Sequence, residues 1–325
     1  MDLITLALAK AYMNERILSN GGVKGDKGDD GKSAYQYAKE GGYTGTEEEF
    51  SEKLAKGIMV NGNAAAHNAV FRGENLTNKY TIDEICQRIS SGTFDDLYVG
   101  DYFDITFTNP SGTQEQMRCI LAGFDYYYNQ QKYGCMQHHA VIVPKNCVEG
   151  LFAVNTEATT NVCEGGFANS TMFKTTLPSY LTPLQNALNN HILTYKNQLS
   201  TELNSDGLSN VGVGLTGYAS AHDWRDITLN LLSELQVYGT QILSSSFYNN
   251  GIDTSQLPLF RHDLMAKVAG NGGVTDMGNS NEAIHYWLRD IVSKHFYARV
   301  TNRSGAYYHS GANVNGGLRP FFLIG

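Results

Sequence analysis

The chain closes on two largely apolar runs, His285-Tyr286-Trp287-Leu288-Arg289-Asp290 and Gly316-Gly317-Leu318-Arg319-Pro320-Phe321-Phe322-Leu323-Ile324-Gly325. Between them lie Asn302, Arg303, Ser304, Tyr307, Tyr308, His309, Ser310, Asn313 and Asn315. This polar stretch has no core-building period. It is rich in Tyr, Asn, Ser and Arg, the residues that give paratopes rigid contact area and adaptable hydrogen bonds. It reads as a recognition surface held between buried flanks, with an ordinary solvated loop as the plainer alternative.

Composition narrows what such a surface could serve. A length of 325 residues suits a main domain of roughly 200 residues with smaller modules beside it. The net charge of -8 and the charged fraction of 17% exclude electrostatic binding of nucleic acid, which needs clustered Lys and Arg. Against 6 Pro, the 20 Tyr and 34 Gly point to a turn-rich fold with much amphipathic aromatic surface. The five cysteines, Cys86, Cys119, Cys135, Cys147 and Cys163, form no Cys-x-x-Cys pair, and most sit in apolar stretches. Buried free thiols are expected. No apolar run is long enough to insert in a membrane. Met1-Asp2-Leu3-Ile4 lacks the basic stretch of a signal peptide, so synthesis and assembly in the cytoplasm are expected.

From the N-terminus, Ile4, Leu8, Ala11 and Leu18 fall near helical spacing and predict an amphipathic helix over residues 2–19. Gly22, Gly25, Gly28 and Gly31 follow at strict three-residue spacing. Only Gly fits the axis where three polyproline-like chains meet, so the period points to a trimer, although no Pro strengthens it and a charged linker is the alternative. Ser33 to Gln36 and Thr46 to Glu49 match capping boxes and predict two short helices joined by a turn. Gly57 to Asn63 reads as linker, and Thr81-Ile82-Asp83-Glu84 opens a helix with Ile82, Ile85, Cys86 and Ile89 inward. Strand-like runs occupy Leu97 to Phe107, Met117 to Phe124 and His139 to Val143, the first two separated by the turn signal Asn109-Pro110-Ser111-Gly112. Two further helices are predicted, one carrying Tyr180, Leu181, Leu184, Leu188 and Ile192, the other Ile227, Leu231, Leu232 and Leu235.

Signals for chemistry are weak. His138-His139 is the lone adjacent histidine pair, and strand neighbours point to opposite faces, so one buried and one exposed ring is expected and no metal site. No nucleophile elbow, phosphate loop or dinucleotide fingerprint occurs, and Val211-Gly212-Val213-Gly214 is too short to cradle a phosphate. Asp223-Trp224-Arg225-Asp226 reads as a helix start capped by Asp223. No cofactor is implied.

Several stretches together resemble tail proteins from phages and prophages of gut Firmicutes. They are Ala65-Ala66-His67-Asn68-Ala69-Val70-Phe71-Arg72-Gly73, the run Gly92 to Tyr102, and Ala122-Gly123-Phe124-Asp125-Tyr126-Tyr127. His138 to Pro144, Val237-Tyr238-Gly239, Trp287-Leu288-Arg289-Asp290 and the Arg319-Pro320 ending continue the resemblance over residues 61–325. The Gly-X-Y tract and Ala34 to Phe50 also resemble modules of such tail fibres. The resemblance implies an α+β chain with a C-type-lectin-like C-terminal domain, the scaffold seen in receptor-binding proteins diversified by retroelements. It implies a fixed frame of Trp287, Leu288, Arg289, Phe296, Ala298, Val300, Gly305, Gly317, Arg319 and Pro320. The presented, ligand-binding positions would be His295, Tyr297, Arg299, Asn302, Arg303, Tyr307, Tyr308, His309, Asn313 and Asn315. Alternation along Phe296 to Val300 fits a half-buried strand. The triplets of calcium-dependent lectins are absent, so calcium-dependent sugar binding is not expected.

The implied layout is an N-terminal attachment or oligomerisation helix (1–21), the Gly-X-Y tract (22–32), a short helical pair (33–60), a linker with a short helix (61–95) and the lectin-like domain (96–325). The expected function is that of a homotrimeric tail-fibre or tail-tip protein on the virion, synthesised in host cytoplasm. Its N-terminus would meet other tail proteins, and its C-terminal surface would bind a glycan or protein on a bacterium. An enzyme is not expected. The alternatives are a structural tail component that docks another tail protein and, last, a glycan-cleaving tailspike.

Overall fold

The computed structural model describes residues 32–55, 64–128, 133–156, 163, 165–203, 219–244, 253, 255–269, 285–292, 296–300, 306–308 and 315–325. The predicted helix over 2–19, Gly22, Gly25, Gly28 and Gly31, the linker 57–63 and the Val211 to Gly214 run lie outside them. The chain divides into two compact units, Met1–Met59 and Val60–Gly325.

In the first unit, helix α1 (Ala34–Glu40) begins at Ser33, whose hydroxyl accepts from the Gln36 N–H while the Gln36 side chain reaches back to the Ser33 N–H. Helix α2 (Glu47–Ala55) begins the same way at Thr46 with Glu49. Tyr35, Tyr43 and Phe50 meet between the two, with ring centroids 5.6–6.3 Å apart. Both capping boxes form as the sequence predicts.

The second unit is α+β. It opens with α3 (Ala64–Asn68) and α4 (Ile82–Ser90), the latter capped by Thr81 and Glu84 and burying Ile85, Cys86 and Ile89. Residues 64–95 are thus more than linker: Leu76, Ile85, Ile89 and Phe94 are all fully buried in the core. Strands β1 (Tyr102–Thr108) and β2 (Gln114–Phe124) form a hairpin around Asn109 to Gly112, with β3 (Ala140–Pro144) on the other side of β2. Alternation along β1 puts Phe103, Ile105 and Phe107 inward. Helix α5 (Leu177–Ala187) packs on β1, with Tyr180 edge-on to Phe107 at 6.4 Å. It ends where Asn189 and Asn190 take positive φ of 49° and 64°, so the expected helical Ile192 instead starts strand β4 (Ile192–Leu193).

Strands β5 (Tyr195–Leu203) and β6 (Ala219–Ile227) make a separate antiparallel pair. Asp223 to Asp226 therefore lies on a strand, not at a helix start. The second helix expected through Ile227 and Leu235 is overturned too. Ile227 ends β6, Leu231 ends β7 (Leu229–Leu231), and the short helix α6 (Glu234–Tyr238) starts afresh at a Ser233/Gln236 capping box. A further short helix, α7 (Pro258–His262), precedes β8 (Tyr286–Ile291), β9 (Tyr297–Val300), β10 (Ala306–Tyr308) and β11 (Pro320–Ile324).

The last strand is the keystone of the main sheet, whose path runs β1-β2-β3-β11-β4. One edge of β11 pairs with β3, and the other pairs with β7 at Pro320 to Phe322 and with β4 at Leu323 and Ile324. Every residue of β11 is buried, as an apolar run covered on both faces requires. Pro320 stands at the first position of the strand, where its missing N–H is tolerated. All five cysteines are free and buried, as expected. Among the described residues, no helix is long and apolar enough to cross a membrane.

Candidate functional site

The two ends of the C-terminal stretch meet at one place. The Trp287 N–H donates to the Gly317 carbonyl at 3.1 Å, and the Gly317 N–H donates to the His285 carbonyl at 2.9 Å. The chain between Trp287 and Gly317 begins and ends at that junction, and its described residues 288–292 and 296–300 are buried. Its stem is the three-stranded sheet β8-β9-β10, in register through Trp287↔Arg299 and Tyr307↔Arg299.

Three residues lock the stem. The Trp287 indole is fully buried and donates through Nε1 to the Phe152 carbonyl at 2.7 Å. The Arg299 guanidinium lies over the Trp287 ring, 4.2 Å from its centroid, and donates to the Asn315 carbonyl at 3.2 Å. Gly316 fits beneath both. A Cβ there would meet Arg299 Nη2, with Arg299 Cζ at 2.8 Å and Trp287 Nε1 at 2.9 Å. Gly316 also exchanges two backbone hydrogen bonds with Phe152, at 2.8 and 2.9 Å.

This geometry corrects two of the expected ligand-binding positions. Tyr297 and Arg299 are buried, at 0% and 4% exposure. Alternation gives an outward face only where one side of a strand is wet, and all four residues of β9 are buried. Tyr297 packs edge-on to Phe167 at 6.2 Å, and Arg299 holds the frame. Asn315 is exposed, as expected of a presented residue. Tyr307 and Tyr308 lie on β10 opposite Arg299 and Ala298. His295, Asn302, Arg303, His309 and Asn313 lie outside the described residues, as does Gly305 of the frame.

The rest of the expected frame is buried: Leu288, Phe296, Ala298, Val300, Gly317 and Pro320 pack in the core. Arg319 is 1% exposed, yet its Nε donates to the Pro144 carbonyl at 2.7 Å, and Nη1 donates to the Ala266 carbonyl and the Tyr286 hydroxyl at 2.9 and 3.2 Å. Arg289 pairs with buried Asp253 and donates to the Gln198 carbonyl at 3.2 Å. Asp253 also accepts from the Tyr127 hydroxyl at 2.7 Å, the Ser233 hydroxyl at 2.8 Å and the Asn197 amide at 3.2 Å. One buried carboxylate thus ties the Tyr127 loop, β5, the start of α6 and β8 together.

Beside it, the Asp290 carboxyl is fully enclosed near Glu234 and accepts one bond, from the Glu234 N–H at 2.7 Å. Burial, reinforced by the Glu234 charge, pushes Asp290 up to about 8. The folded protein therefore holds a proton that the unfolded chain, with an ordinary Asp near 4, releases. Stability contributed by this group falls as pH rises from about 4 to about 8, by up to about 1.4 kcal/mol per pH unit for one proton. Asp290→Asn, neutral at every pH, is expected to flatten the urea-midpoint profile of the full chain across that window. Parallel profiles for the two proteins would refute a protonated Asp290.

The stretches that carry the tail-protein resemblance build scaffold. The Asn68 side chain brackets Phe124, donating to its carbonyl at 2.9 Å and accepting from its N–H at 2.7 Å. Arg72 clamps fully buried Asp101 through Nε at 3.0 Å and Nη2 at 2.7 Å, and lies 4.8 Å from the Tyr98 ring centre. Asp125, at φ 53°, accepts from the His139 N–H at 3.0 Å and bonds His138 Nδ1 at 2.7 Å. His139 is buried with its Nε2 accepting from the Tyr127 N–H at 3.1 Å and its Nδ1 donating to the Gln137 carbonyl at 3.0 Å, and burial lowers its pKa. It is a neutral core residue, and half-buried His138 is the more exposed partner, as expected.

Asp101, Asp125, Asp253 and Glu234 escaped sequence reading because their partners are distant in the chain. For Glu234, the Ser233-x-x-Gln236 pattern is the local signal that could have revealed the helix start beside it. Burial pushes the Cys86 and Cys147 thiols up to about 12 and also raises Cys119, Cys135 and Cys163, which leaves none of them poised as a thiolate. Among the described residues, no three His, Cys, Asp or Glu side chains are gathered to hold a metal ion. No family model, no curated protein and no solved structure matches the chain.

Proposed function

We propose that this chain is a homotrimeric phage tail-fibre or tail-tip protein that binds a bacterial surface receptor through its C-terminal excursion, on a C-type-lectin-like scaffold. The observation that carries the reading is the closed junction at Trp287 and Gly317, which roots a polar, Tyr- and Asn-rich excursion in a rigid frame. Binding residues are characteristically placed on loops that a rigid scaffold positions. Gly22, Gly25, Gly28 and Gly31 would join three chains, so that three sites gain avidity on one cell. The N-terminal residues would attach to other tail proteins on the virion. The ligand-binding set becomes His295, Asn302, Arg303, Tyr307, Tyr308, His309, Asn313 and Asn315. No cofactor and no catalytic step enter this reading.

The test is direct binding of the labelled full chain to intact cells of a panel of gut Firmicutes, read by flow cytometry, with light scattering on the same sample. Saturable binding to at least one strain and a mass three times the 35.8 kDa of one chain are expected. A tail component that only docks onto another tail protein would bind none of the strains. The mass of a single chain would refute the trimer.

A further inference from the structure

A second site lies away from the excursion, at the β5–β6 pair. A cleft of about 460 Å³ opens there, lined among others by Met136, Gln137, Thr194, Lys196 and Asp226. Its size falls in the roughly 300–1,000 Å³ range of small-ligand sites. Its polar lining combines one loose ion pair with two groups that make no side-chain hydrogen bond among the described residues. Lys196 Nζ and the Asp226 carboxylate stand 3.8 Å apart, too far for a hydrogen bond, with their side chains 41% and 71% exposed. The Gln137 amide and the Thr194 hydroxyl have no side-chain hydrogen bond among the described residues. Met136, 68% exposed, adds an apolar edge.

Next to these groups, outside the lining of the cleft, is an aromatic pair. Trp224 and Tyr133 stack at 3.7 Å with their planes 11° apart. Trp224 and Asp226 alternate onto the same face of β6, across from Gln198 and Lys196. Gly134 fixes Tyr133 beside them, because its backbone exchanges two 2.8 Å hydrogen bonds with Lys196.

We propose that this cleft binds a neutral sugar of one or two rings. An amide, a hydroxyl and a balanced ammonium–carboxylate pair offer donors and acceptors to a ring of hydroxyls, and the exposed Met136 edge, with the aromatic pair next to the cleft, offers apolar surface to the face of a pyranose. A polyphosphate is disfavoured because the single ammonium in the cleft is offset by Asp226. An extended peptide is disfavoured because the backbone of Lys196, the strand edge it would pair with, is already taken by Gly134. The inference rests on this cleft alone and is independent of the reading of the C-terminal excursion.

The probes are lactose, N-acetylglucosamine, N-acetylgalactosamine and rhamnose, with glycerol phosphate and a short extended peptide as contrasts. The readouts are saturation-transfer NMR and tryptophan emission of the full chain. At least one sugar is expected to give a saturable signal and to perturb Trp224, one of 2 tryptophans in the chain. Asp226→Ala and Gln137→Ala are expected to weaken that binding by about tenfold, the loss of a hydrogen bond or two, while the urea midpoint stays unchanged. Asn315→Ala should leave it untouched. The proposal is overturned if no sugar gives a saturable signal at tens of millimolar, if binding survives both cleft substitutions, or if glycerol phosphate or the peptide outcompetes every sugar.

Discussion

Arg289→Met is expected to lower the stability of the Val60–Gly325 unit by about 3–5 kcal/mol, the cost of stranding one member of a buried ion pair. Asp253 is fully screened from water in the protein, and Arg289 is its one cationic partner among the described residues. Without it, the bonds from Tyr127, Ser233 and Asn197 would have to support an uncompensated carboxylate. Met conserves most of the apolar length of Arg, so the loss reports the charge more than a cavity. Both tryptophans, Trp224 and Trp287, belong to this unit, so urea unfolding followed by tryptophan emission reads it selectively. Adding Asp253→Asn to Arg289→Met should recover part of the loss, because the stranded charge is gone. A shift below about 1 kcal/mol for the single variant would mean the pair contributes no more than a surface bridge.

Trp287→Ala should cost a similar amount, about 3–5 kcal/mol, for a different reason. The indole is wholly buried and is the floor on which Arg299 rests. Truncating it opens a cavity, leaves the Phe152 carbonyl with the Gly316 N–H as its remaining donor and removes the ring that holds the guanidinium. Trp287→Phe keeps a ring and loses only the N–H and part of the volume, so it should cost clearly less. Trp224 remains as the emission reporter in both variants. If the two variants were equally destabilised, the hydrogen bond rather than the packing would dominate.

What the sequence made legible was local. Ser33 with Gln36, Thr46 with Glu49 and Thr81 with Glu84 specify their helix starts within four residues, and all three form. Asn109 to Gly112 likewise turns one strand into the next. The failures came where a period had to be interpreted. Ile227, Leu231 and Leu235 fit helical spacing, yet the segment is strand, then strand, then a helix that Ser233 begins anew. A few apolar residues match either period, and long-range pairing with β11 decides the outcome.

Tyr297 and Arg299 were misplaced for a related reason. A polar or phenolic residue between apolar neighbours looks outward-facing, but β9 is buried on both sides, and Arg299 finds its compensation in the Trp287 ring and the Asn315 carbonyl. Neither partner is adjacent in sequence. The ties of Asp101 to Arg72 and of Asp253 to Arg289 were invisible for the same cause, since no local pattern announces a partner 29 or 36 residues away. The β5–β6 cleft drew no notice because Asp223 to Asp226 resembles a helix cap as much as a strand.

The frame therefore comes out larger than the sequence suggested and the presented surface smaller. The central proposal is that the excursion between Trp287 and Gly317 makes the receptor contact. The most direct test is cell binding by Tyr307→Ala/Tyr308→Ala/Asn313→Ala, measured by flow cytometry on a strain to which the unaltered chain binds. The account predicts that binding is abolished while the light-scattering mass and urea midpoint are unchanged, and binding retained at full strength would contradict it.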